Sequence, residues 1–436
     1  MGVGESLNSM AKIVSLTKEK QHFFGYYDKC PWDKNGKYIL ALEADFIDRL
    51  PNANDAARIG IIDLEKNNVF RIVSQTKAWN WQQGAMLQWL GPDYERRIIF
   101  NDFQNSHFVS VVLDVHTSRK RLIPSAIYAV HPSGKYALSL NFSRLDDVRE
   151  GYGYKGVGYT SEKKLDDDGI YLVNLEMGHA NLMVPLSNLL EYQFVSSMNE
   201  SRHWVDHLTF SPSGTRFAFL HRWQLKNGGM HSRLYVARFE SEAHAGKHRL
   251  TPRILLDSGM ASHFTWRGDG ELLVWGRPSG VSASIGRKKW ARKILVPIYH
   301  RVFSSSPALR QEISGDAFML FNVETGAYKK IGVGALREDG HCSFSPDGQW
   351  LMTDTYPSKN HYRKLLLFHL TSNKLIEVQD FFSLPDKRYG IKDDWDSSAM
   401  LCDLHPRWNR DGTQVCIDSV HEGSRQIYIL ALDSLI

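Results

Sequence analysis

Seven copies of one unit, each built on a tight SPDG-like turn between short β-rich runs, predict an all-β chain folded as a seven-bladed β-propeller with four-stranded blades. The first unit turns at DKNG, ending on Gly36, then runs through KYILALE and IGIIDLEKN. The second is degenerate: WLGPD around Asp93, then RRIIFND and FVSVVLDVHT. The third has HPSG at Gly134, KYALSLN and GIYLVNLEMG; the fourth has SPSG at Gly214, RFAFLHR and RLYVARF. The fifth has RGDG at Gly270, ELLVWG and AFMLFNVETG; the sixth has SPDG at Gly348, QWLMTDT and KLLLFHLTSN. The seventh has NRDG at Gly412, QVCIDS and QIYILAL. Runs such as HLTF and HFTW ahead of the turns supply inner strands, and RIVSQ, LMVPL, PRILL and KLIEV supply outer ones. The last unit stops at its third strand, so AKIVSLTK near the start is expected to close the ring. The chain reads as one propeller over 1–436, with insertions at about 141–168 in the third unit and 276–315 in the fifth, and a shorter one in the sixth.

Composition fits a folded protein with a sizeable core: 42% hydrophobic and 23% charged residues over 436 positions. A net charge of +5 is too mild to indicate nucleic acid and suits an acidic glycan. Cys30, Cys342, Cys402 and Cys416 form no CxxC pair and read as reduced thiols. No signal-peptide core and no run of about 18 apolar residues is seen, so a cytoplasmic location is expected.

Four consecutive units carry histidine seven residues before the turn glycine: His207, His263, His341 and His405. Lys29, Met86 and Ile127 take that offset in the first three units. Equivalent positions of successive blades are neighbours around the axis, so four imidazoles are expected at the channel mouth. Such a group suits a divalent metal or acid/base work.

HPRWNRDGTQVCIDSVHEGSRQIYIL, HCSFSPDGQWLMTD and HFTWRGDGELLVW resemble blades of the oligogalacturonate lyases, and more distantly those of the ulvan lyases. The resemblance implies β-elimination on a uronate-containing oligo- or polysaccharide, with a divalent metal (Mn, Zn or Ca) and no organic cofactor. It implies His207 as the base, His263 and His405 as metal ligands, His341 as a further channel histidine and Arg144 as an arginine entering the site. Around His405 this chain has Asp403 and Arg407 where the family has glutamine and histidine. Asp403 is a third ligand candidate through oxygen. Arg407 is placed to bind a uronate carboxylate, with or instead of the metal.

The proton for the leaving oxygen is expected from Tyr152, Tyr154 or Tyr159 of the third-unit insertion. Loops sharing that face bring His107, His221, Arg222, Arg277, Tyr356, His361 and His421 into range, with His107, His221 and Arg222 as substrate-binding candidates. Trp79, Trp81 and Trp89 are expected in the core rather than on sugar rings. The basic, partly apolar stretch 287–303 is a candidate contact with a membrane surface or an acidic partner. The competing reading is a non-catalytic propeller that binds glycan or protein in polysaccharide synthesis or export.

Overall fold

In the computed structural model, which describes residues 12–159, 165–226, 228–239, 250, 252–278, 315–389, 400–433 and 435–436, seven four-stranded antiparallel sheets follow one another along the chain. This is the seven-bladed propeller that the repeats predict. The turn glycines do what their spacing implies. Gly36, Gly134, Gly214, Gly348 and Gly412 all have φ between +68° and +81°, a region that a side chain disfavours. In the fifth blade Gly268 takes that role instead of Gly270, and in the second Tyr94 does, at φ +50°.

The strands are apolar on both faces because each blade is packed on both sides. In β15 (Arg216–Gln224), Phe217 and Phe219 join the core shared with the third blade. Ala218 and Leu220 alternate with them and pack with Phe264 and Val274 of the fifth. Trp79, Trp81 and Trp89 are 2–3% exposed and sit in the core between the first two blades, as the sequence suggests.

The last blade is completed from the other end of the chain. β1 (Lys12–Ser15) pairs antiparallel with β28 (Gln426–Ala431), Lys12 opposite Ala431 and Ser15 opposite Tyr428. Removing residues 1–15 would bare the edge of β28, which invites pairing with a second chain. The expected result is a lower melting temperature and concentration-dependent association on size-exclusion chromatography; an unchanged monomer would show that closure is dispensable.

The insertion of the third blade is not all loop. Its start folds as helix α1 (Phe142–Val148), with the Asn141 side chain accepting from the backbone of Ser143 and Arg144 at the N-terminus. Most of the fifth-blade insertion, including 287–303, lies outside the described residues. Among the described residues no helix is long and apolar enough to cross a membrane.

Candidate active site at the channel mouth

The four histidines sit where the inner strands begin or bulge. His207 lies in β14 (His203–Phe210), where pairing slips between Asp206 and Thr209. His263 lies in β18 (Ala261–Arg267), at a slip between Ala261 and Phe264. His341 immediately precedes the inner strand of the sixth blade, and His405 lies two residues before that of the seventh. Backbone φ is +49° at His207 and +43° at His405, and Met86, at the same offset, has +52°. The left-handed kink is thus shared by three of the seven blades, with histidine at two of them and methionine at the third.

The rings converge. His263 and His341 are 4.2 Å apart between centroids, and His341 and His405 4.3 Å. Their hub is a pair of tyrosines from the segment after β2 (Gln21–Phe23). Tyr27 lies 5.3–6.3 Å from all four imidazoles, and Tyr26 lies 5.0 Å from His207 and 5.2 Å from His405. The chain enters the channel at Gly25, with φ +134°; a Cβ there would stand 2.8 Å from the Gln83 carbonyl oxygen. Tyr27 is fixed at its far end, its hydroxyl donating to the Phe264 carbonyl and accepting from the Phe264 amide, both at 3.1 Å. It also lines a cavity of about 170 Å³ with Asp28, Lys29, Thr265, Ser343 and Arg407.

Each imidazole has its own surroundings. His341 Nδ1 lies 3.0 Å from both oxygens of Asp354, which fixes the proton there and leaves the Nε2 lone pair free. Asp403 Oδ2 stands 4.0 Å from Nε2 of His341 and of His405, while its Oδ1 accepts from Arg363 at 2.7 Å. His341, Asp403 and His405 each offer a ligand atom within 4.8 Å of the others. His405 Nε2 is sealed from solvent without a hydrogen-bond partner, a costly arrangement unless something binds it. Two imidazole nitrogens and one carboxylate oxygen, with a carboxylate behind one histidine, fit a divalent transition metal. His263 stands beside this trio rather than in it, its Nδ1 2.9 Å from Asp339.

Burial holds His207 and His405 well below the ordinary imidazole range, helped by Lys29 at His207 and by His341 at His405. Burial also lowers His263, against the pull of Asp339. His341 goes the other way: burial is outweighed by Asp354, with Asp403 adding to it. At Asp403 burial is likewise outweighed by Arg363 and His341, which keep the carboxylate ionised.

A cationic rim adjoins the histidines. Asp206 Oδ2 is 2.5 Å from Arg149 Nη1 and 3.5 Å from Arg222 Nε, and Arg149 lies 3.4 Å over the ring of Tyr152. Tyr356, 41% exposed, stands 6.2 Å from His263 and 6.1 Å from His341.

Several expected residues stand elsewhere. Arg144, in the first turn of α1, is buried against Asp168 at 2.6 Å, the Tyr159 hydroxyl and the His203 carbonyl; Arg149, one turn on, reaches the rim in its place. That contact also removes Tyr159 as proton donor, and Tyr154 is stacked on Phe142 at 4.4 Å in the core. Arg407 is 1% exposed, paired with Asp418 at 3.0 Å and bonded to the carbonyls of Gly25 and Tyr26. His221 points into its blade, with Nε2 3.0 Å from His203 Nδ1. His107 is exposed at a hairpin tip, its Nδ1 2.7 Å from the Asn105 carbonyl. Arg277 is paired with Asp316 at 2.7 Å, His421 bonds Ser419 at 2.8 Å, and His361 edges Phe382 at 6.5 Å. His207 turns Nδ1 toward the Tyr27 hydroxyl at 3.5 Å and Nε2 toward Asp28 at 3.7 Å. Tyr26, Tyr27, Arg149, Asp339 and Arg363 carry no repeat signal and were not singled out from the sequence.

No protein-family model and no curated protein sequence matches this chain. Solved structures do share its fold. An oligogalacturonate lyase in complex with manganese superposes with a TM-score of 0.64 at 13% identity, over 97% of this chain and 94% of that one. The oligogalacturonate lyase of Vibrio parahaemolyticus gives 0.62 at 12% identity, over 99% and 96%.

Proposed function

We propose that this chain is a metal-assisted lyase that cleaves an acidic, uronate-containing oligosaccharide by β-elimination at the histidine mouth. The observation that carries the reading is the joining, at one channel mouth, of the His341–Asp403–His405 cluster and the Arg149–Arg222 rim. The shared fold with a manganese-bound oligogalacturonate lyase supports it.

Elimination beside a carboxylate needs that group's growing charge stabilised, a base for the adjacent proton and an acid for the leaving oxygen. When bound at His341, Asp403 and His405, a divalent metal such as manganese supplies a Lewis acid for the carboxylate. Arg149 and Arg222, already gathered around the Asp206 carboxylate, are suited to orient the uronate. His263 is the better-placed base. Asp339 holds its Nδ1, so Nε2 carries the lone pair, and Tyr356 beside it is the exposed side of the ring. Tyr152 and Tyr356 flank the place where the sugar would lie.

The test is ultraviolet absorbance of the unsaturated uronate on a panel of uronate oligosaccharides, with and without a chelator. The expected result is a rise that the chelator abolishes and added manganese restores. A rise indifferent to chelation would remove the metal. Binding without any rise would favour the non-catalytic glycan-binding propeller.

A further inference from the structure

We infer that Tyr26 is the catalytic proton donor to the leaving oxygen, an inference that rests on the lyase reading and assigns a role within it. The residue belongs to no repeat unit. It is carried into the centre of the channel by the Gly25 turn, and its ring stands 5.0 Å from His207, 5.2 Å from His405 and 6.2 Å from His341. Tyr26 and Tyr27 are neighbours in sequence with rings 4.7 Å apart, yet their hydroxyls differ. That of Tyr27 is committed to both backbone groups of Phe264. Among the described residues no hydrogen bond engages the hydroxyl of Tyr26, and its oxygen is not one of the solvent-sealed atoms without partners, a set that includes Nε2 of His207 and His405. The oxygen therefore keeps some exposure, though the residue as a whole is 4% exposed.

Its neighbours suit the task. Its ring stands against His405 of the cluster proposed to hold the metal and against His207, whose chain neighbour Asp206 gathers Arg149. A carboxylate drawn to the cluster and to Arg149 would bring the bond to be broken over this hydroxyl. In the step itself, His263 takes the proton beside the carboxylate and that C–H electron pair becomes the new C=C bond. The neighbouring C–O bond breaks with its pair on oxygen, and Tyr26 gives that oxygen a proton. Burial, Tyr152, Asp206 and Asp28 outweigh Arg149 and keep the Tyr26 hydroxyl protonated until it is used, and the phenolate then regains a proton from water as His263 returns its own to solvent.

Tyr26→Phe tests this, since it removes one oxygen and keeps the ring that packs on the histidines. The expected result is a fall in kcat of about 100-fold or more, with KM changed by about twofold at most. Melting temperature and calorimetric affinity for manganese should equal those of the wild type, which excludes a structural cause. Wild-type kcat in Tyr26→Phe would overturn the assignment while leaving the lyase standing. A wild type inactive on every uronate oligosaccharide would overturn the lyase reading, and this assignment with it.

Discussion

Arg407→Met is expected to lower stability by about 3–5 kcal/mol, the usual cost of leaving one member of a buried ion pair alone. The residue is 1% exposed and bonds both oxygens of Asp418 at 3.3 and 3.0 Å. Its remaining donors go to the carbonyls of Gly25 and Tyr26 and to Cys416 Sγ, and its guanidinium lies 5.0 Å from the Phe24 ring. The arginine thus ties the inner strand of the last blade to the segment that carries the central tyrosines. With methionine there, the Asp418 carboxylate keeps, among the described residues, only the Phe24 amide at 3.3 Å. Chemical denaturation should show the loss. The double variant Arg407→Met with Asp418→Asn should recover part of it, because the stranded charge is gone. A stability change within about 0.5 kcal/mol, the range of ordinary surface substitutions, would mean that Arg407 is not the strut described.

His263→Gln is expected to lower kcat by about 100- to 10,000-fold, the contribution of a positioned base. His207→Gln should cost far less, because that ring is packed on Phe264 at 4.1 Å and turns both nitrogens toward Tyr27 and Asp28. The contrast matters because both histidines occupy the same blade offset. They differ in backbone conformation, left-handed at His207 and not at His263, and in what stands around each ring. Manganese affinity should survive His263→Gln, since the ligand trio is His341, Asp403 and His405. If His207→Gln were the inactive variant and His263→Gln the active one, the base would be His207, as the family resemblance alone implies.

The architecture was legible because its signal is local and repeated. A glycine at positive φ followed by an apolar run recurs often enough to number the blades, and even the closing strand could be placed. The histidine register was legible for the same reason. What the sequence hid lies where no repeat copies it. Tyr26 and Tyr27 come from a connecting segment, and only the Gly25 turn sends them to the axis. Arg363 looks like any residue of a buried strand until Asp403 is found against it. Arg144 and Arg149 were separable only by the phase of α1, which the sequence presented as loop. The offset of Arg407 beside His405 suggests the channel but does not show its ion pair. Its partner Asp418 lies across the pair of strands and binds it there.

The most direct test of the metal-assisted lyase is the mass of the products formed from a uronate oligosaccharide in water enriched in oxygen-18. Elimination breaks the C–O bond without consuming water. The fragment masses should then sum to that of the substrate, with no heavy oxygen, and fragments should stop forming once the metal is chelated. Fragments that together gain one water and carry the label would mean hydrolysis, and would contradict the chemistry assigned to the histidine mouth.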